Sequence, residues 1–105
     1  MEFNSVKLIA QANIYNEGKV SSRTFYTAEG ERKTLGVMLT GDYHFSTAAA
    51  EIMEVLQGEI QALLPGEQEF KSFTAGSSFS IPANSAFDVK ISQYADYCCS
   101  YLEEK

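Results

Sequence analysis

The chain breaks into short β-prone runs separated by turn residues, and this punctuation constrains its fold more than any other feature. "GKVSSRTFYT" and "RKTLGVMLTG" carry β-branched and aromatic residues on either side of "AEGE", which reads as a hairpin turn. "YHFST", "EIMEVLQG" and "EIQALLPG" follow, with "QGE" and "LPGEQ" supplying turn chemistry; after "EFKSFTAG" come "SFSIP", "AFDVKISQ" and "DYCCSYL". In "AFDVKI", Phe87, Val89 and Ile91 alternate with Ala86, Asp88 and Lys90, the period of a half-buried strand. "STAAAEIMEVL" would pass as a helix on propensity alone. Gly41 and Gly58 bracket it, and the surrounding chain is repeatedly β, so it reads as strand. Strands this short and this closely spaced predict an all-β domain, a small antiparallel barrel or jelly-roll sandwich. Residues 1–10 are expected to form an N-terminal extension that adds an edge strand or packs outside, with residues 11–105 as the domain itself.

A chain of 105 residues has room for one core and one pocket. Its apolar fraction of 45% and charged fraction of 21% are those of a globular protein and argue against disorder. No run approaches the roughly 18 apolar residues of a membrane span, and no apolar leader with a small-residue cleavage site opens the sequence. A cytoplasmic protein without a membrane partner is the expectation. Cys98 and Cys99 are adjacent, and neighbours on a strand point to opposite faces, so they are expected to be buried thiols rather than a disulfide.

The net charge of −6 opposes a nucleic-acid polymer as partner, because such binding relies on Lys and Arg neutralising phosphates. Even so, Lys19, Arg23, Arg32 and Lys33 cluster within "KVSSRTFYTAEGERK". This is either a solvated hairpin balanced by Glu29 and Glu31 or an anion site for one small phosphate.

Two stretches carry a resemblance. "HFSTAAAEIMEVLQG" and "GSSFSIPANSAF" look like the two motifs of the cupin fold, in which His-x-His, three or four residues, Glu, six residues and Gly are followed by Gly, five residues, Pro-x-Gly, two residues and His. Glu51 and Gly58 fit the first motif, and Gly76 and Pro82 fit the second. His44 is aligned with the first ligand position, but Ser46 stands at the second histidine, Phe87 at the last and Asn84 at the second motif's glycine. A hydroxyl is a poor ligand for a transition metal and a phenyl ring is none. The expectation is therefore a single-domain cupin with no metal and no cofactor. The run "GDYHFSTAAAEIMEVLQGEIQALLPG", with "GVM" before it and "AGSSFSIPANSAF" and "DYCCSYL" after it, resembles the pyrimidine/purine nucleoside phosphorylases, small single-cupin proteins, from about residue 13 to residue 102.

That resemblance implies a broad-specificity glycosyltransferase that cleaves nucleosides with inorganic phosphate to a free purine or pyrimidine base and ribose 1-phosphate. Such a reaction needs a phosphate clamp, a grip on the ribose and stabilisation of an oxocarbenium-like centre. Arg32 is the first candidate for the clamp and Arg23 the second, because a guanidinium matches two phosphate oxygens at once; Lys19 and Lys33 are alternates. Glu51 is the candidate for the ribose hydroxyls and the developing charge, and His44 for protonating the leaving base. Tyr43, Ser46 and Thr47 offer polar contacts, and Phe45, Phe87, Tyr97 and Tyr101 offer faces for a base. Bacterial cupins commonly pair two barrels, so a homodimer is expected. The alternatives are a non-catalytic cupin that binds a small sugar or nucleoside, and a dimeric scaffold.

Overall fold

The computed structural model describes residues 1–103. Its strands are β1 (Lys7–Leu8), β2 (Asn13–Tyr15), β3 (Val20–Tyr26), β4 (Arg32–Ser46), β5 (Ala50–Leu63), β6 (Lys71–Thr74), β7 (Ser78–Ile81) and β8 (Ala86–Leu102). All pairings are antiparallel, in the order β1-β3-β4-β8-β5-β6, with β2 also on β3 and β7 also on β5. The fold is the all-β antiparallel sandwich expected from the sequence. Residues 7–8 and 13–15 both run along the free edge of β3, so part of the N-terminal extension is an edge strand.

The strand boundaries differ from the sequence reading in one consistent way. "RKTLGVMLTG" runs on into "YHFS" as a single strand, as do "EIMEVLQG" into "EIQAL" and "AFDVKISQ" into "DYCCSYL". The residues read as turns between them are bulges, with register shifts at Leu39/Gly41 in β4 and at Val55/Gln57 and Gly58/Gln61 in β5. A bulge bends a strand without ending it. Each long strand can therefore serve both layers of the sandwich. Gly58 has a φ of +78°, and a Cβ there would collide with the Tyr94 carbonyl on β8. The close approach of β5 to β8 at this bend requires a glycine.

Between the layers Val20, Met38, Met53, Val55, Ile60, Ile81, Phe87, Val89 and Ile91 form the core, each at most 4% exposed. Burying a side chain of this size contributes about 1.5–3 kcal/mol. Phe73, Phe79, Phe87 and Phe45 continue it as a chain of rings with centroids 4.5, 6.3 and 5.6 Å apart. The 27–31 turn closes as read, through the Thr27 N–H to Glu31 carbonyl and Gly30 N–H to Thr27 carbonyl bonds.

Candidate active site

One end of the sandwich is open, and its cavity of about 260 Å³ lies against the inner faces of β3, β4, β5 and β8. Among the predicted site residues, Arg32, Phe45, Ser46, Glu51, Phe87, Tyr97 and Tyr101 line it. Strand alternation explains the grouping. Glu51 pairs with Tyr101 across the β5–β8 ladder, and Cys99 and Tyr97, two and four residues back along β8, share that inner face. Gly36 opposes Tyr97, and a Cβ there would meet the Tyr97 hydroxyl at 2.6 Å. The missing side chain gives that ring its place.

Glu51 ends a chain of hydrogen bonds. The Cys99 thiol donates to Glu51 Oε1 at 3.4 Å, Tyr101 is bonded to Cys99, and Thr34 Oγ1 lies 3.2 Å from the Tyr101 hydroxyl. Each group can donate to the next, so the chain delivers a proton donor to the carboxylate. Burial raises the Glu51 pKa above its ordinary value of 4.5, while the Cys99 bond and the charge of Arg32 act to lower it. Burial likewise pushes the Tyr97, Cys99 and Tyr101 hydroxyls and thiol upward, so these groups remain protonated donors near neutral pH. Arg32 is the one cation lining the cavity among the described residues. Its guanidinium lies 3.9 Å over the Tyr101 ring centroid and is paired with Glu103.

Other predicted site residues lie elsewhere. Inward-facing Tyr43 and Phe45 put His44 on the outer surface, where its Nδ1 is 2.6 Å from Asp88 and its side chain is 65% exposed. The spacing before the motif glutamate allows three or four residues; the structure turns the alternate set inward. Tyr43 is buried in the core, does not line the cavity, and donates to the Leu39 carbonyl at 2.7 Å. Thr47 Oγ1 donates to the Pro82 carbonyl at 2.7 Å and accepts from the Ser85 N–H at 3.0 Å, which ties the first motif to the second. Arg23 lies on the outer face and donates to the Ala10 carbonyl, and Lys33 donates to Ser100 Oγ at 2.7 Å. Lys19 is exposed and absent from the cavity wall.

The structure adds residues that the sequence reading passed over. The sequence reading treats Cys98 and Cys99 alike as buried thiols; both are buried, but only Cys99 faces the cavity. Burial raises Cys98 to about 11. Tyr15 reaches the cavity from β2, and Asn13 on the same strand donates to Ser22 Oγ at 3.2 Å, which in turn bonds Tyr97. A three-residue edge strand carries too little periodicity to reveal this. Among the described residues no three His, Cys, Asp or Glu side chains converge as a metal site. Next to Glu51 the cavity offers a protonated thiol, a hydroxyl and phenyl rings, which is a poor donor set for a transition metal.

The family model described as pyrimidine/purine nucleoside phosphorylase matches residues 10–101. A relative from Syntrophotalea carbinolica, named pyrimidine/purine nucleoside phosphorylase, is 56% identical over 97% of this chain and 98% of its own. A crystal structure of a protein of unknown function from Acinetobacter superimposes with a TM-score of 0.92 at 34% identity, covering 95% of this chain and 97% of that one. An RmlC-like cupin from Shewanella frigidimarina, at 17% identity and a TM-score of 0.67 over 87% of this chain and 83% of its own, shares the fold.

Proposed function

This chain belongs to the pyrimidine/purine nucleoside phosphorylase family, and from that membership we propose that its cavity cleaves nucleosides with inorganic phosphate, with Glu51 and Arg32 at the reacting centre. The observation that carries the site is their pairing: one carboxylate and one guanidinium share the wall of a cavity otherwise lined by rings, aliphatic side chains, hydroxyls and one protonated thiol. The reaction needs both charges.

Arg32 holds phosphate beneath the sugar through its planar fork, and Tyr101 under the guanidinium fixes its plane. Glu51 accepts hydrogen bonds from ribose hydroxyls and, as a carboxylate, stabilises the positive charge that builds at the anomeric carbon as its bond to the base lengthens. A phosphate oxygen then bonds that carbon while the base leaves with the glycosidic electron pair. The proton that hydrogen phosphate sheds balances the one the base gains. Phe45 and Phe87 offer faces that accept purine and pyrimidine alike, and Tyr15 at the mouth adds a third. His44 faces solvent, so this scheme assigns it no proton transfer.

The scheme uses no metal, because the charges that bind phosphate and steady the sugar are side chains. We place the enzyme in the cytoplasm, in keeping with its free buried thiols. We also propose a homodimer. Leu35, Val37 and Leu39 on β4, with Tyr94 across from Leu39 on β8, form an apolar stripe on the outer face, each 39–49% exposed, of the kind that oligomers bury. Sedimentation giving only an 11.6 kDa species at micromolar concentration would contradict the dimer.

Chelator-treated protein incubated with uridine should release uracil only when phosphate is present and form ribose 1-phosphate in equal amount. Strict dependence on an added divalent metal would overturn the metal-free scheme. Absence of phosphate-dependent uracil release would favour the binding-protein alternative.

A further inference from the structure

Arg32 is already occupied. Its Nε and Nη2 both contact a single carboxylate oxygen of Glu103, the first residue beyond the end of β8. The Arg32 and Glu103 side chains are 33% and 48% exposed, so the pair sits at the cavity rim with water on one side. A carboxylate on the guanidinium fork takes the hydrogen-bond directions that a phosphate would use. It also places negative charge where a phosphate dianion would arrive, so the two anions compete for one cation.

We propose that Glu103 is the resident anion of the phosphate site: it neutralises Arg32 in the empty enzyme and is displaced by incoming phosphate. The proposal rests on the assignment of Arg32 as the phosphate clamp. The fold permits the exchange. Glu103 lies outside the β4–β8 ladder, so its side chain can leave without breaking a strand pairing. Tyr101 is held in the β5–β8 ladder opposite Glu51 and keeps its ring against the guanidinium when the carboxylate departs. An exposed ion pair of this kind is weak, which suits a partner that must yield to substrate. The chain thereby trades some phosphate affinity for an arginine whose charge is compensated before substrate arrives.

The test compares Glu103→Gln with the unaltered protein in uridine phosphorolysis at varied phosphate, and measures binding of inorganic phosphate alone by calorimetry. The amide keeps the size of the side chain and removes its charge. The expected result is a fall of about two- to fivefold in both the phosphate KM and the phosphate Kd, with turnover at saturating phosphate and the uridine KM unchanged. An unchanged or raised phosphate KM, with Arg32→Ala still weakening phosphate at least tenfold, would overturn the role of Glu103 and leave the clamp intact. Should Arg32→Ala leave phosphate binding unaltered, the clamp assignment fails and the proposal for Glu103 fails with it.

Discussion

His44 and Glu51 belong to one sequence motif, yet they occupy opposite environments. His44 stands on the outer surface beside Asp88, two-thirds exposed to water. Glu51 is half-buried in a cavity, receives a thiol hydrogen bond and has its carboxyl raised by desolvation. The difference comes from strand alternation: on β4 the chain turns Tyr43 and Phe45 inward and leaves the imidazole outside. A titratable side chain in water has little leverage on a reacting centre. The same chemical group in a confined, partly dry site has much more.

Substitutions at four positions test this contrast, in decreasing size of effect, with Arg23→Ala and Cys99→Ser as controls. Glu51→Gln should lower kcat/KM for uridine by about a hundred- to a thousandfold, the scale of losing a preorganised electrostatic group, while the thermal midpoint holds or rises. The rise follows from linkage. A carboxyl raised in the folded state contributes stability that is full below its unfolded pKa and is lost as pH climbs through the folded value, so at neutral pH the ionised Glu51 weakens the fold. Steady-state kinetics together with a melting curve checks both halves.

Arg32→Ala should cost roughly 1.5–3 kcal/mol of transition-state binding, or about ten- to a hundredfold in kcat/KM for phosphate. Arg23→Ala removes the same charge from the outer face, where the guanidinium holds only the Ala10 carbonyl, and should leave phosphate kinetics unaltered. Equal losses from both, measured at limiting phosphate, would mean that the cluster acts only through its long-range charge.

Cys99→Ala removes the donor on Glu51 and so raises its pKa further; in the proposed scheme Glu51 acts as the carboxylate, so the acid limb of the kcat/KM profile should move to higher pH. Cys99→Ser, which keeps a donor, should restore the limb toward its original position. A limb that stays fixed in both variants would show that the thiol does not govern this carboxyl. The smallest effect is expected for His44→Ala, which should hold kcat/KM within about twofold across the same pH range, because an exposed imidazole bonded to Asp88 touches nothing in the cavity.

The layered β architecture was readable because strand signals are local: alternation in "AFDVKI", turn residues in "AEGE" and the glycine at position 58 each report on their own neighbourhood. Strand ends were less readable. A bulge glycine and a turn glycine look alike in sequence, and what separates them is whether the chain beyond Gly58 finds β8 again. The candidate site was legible to the extent that it follows the motifs, which led to Ser46, Glu51 and Phe87; Arg32 came from the basic cluster and the need for a phosphate clamp, which pointed equally to Arg23 on the outer face. The inward or outward sense of residues 43–47 was not legible, since the motif spacing accepts two registers. Cys99 and Tyr15 enter through tertiary contact alone, one through a pairing across the sheet and the other through an edge strand.

The proposed reaction runs between Glu51 and Arg32, inside the sandwich and away from the histidine of the motif. A crystal structure of the protein with ribose 1-phosphate tests it most directly. The sugar should lie in the cavity, its hydroxyls on Glu51 and its phosphate on Arg32, with Glu103 turned away. Sugar phosphate bound on the outer surface against His44, with the cavity empty, would contradict it.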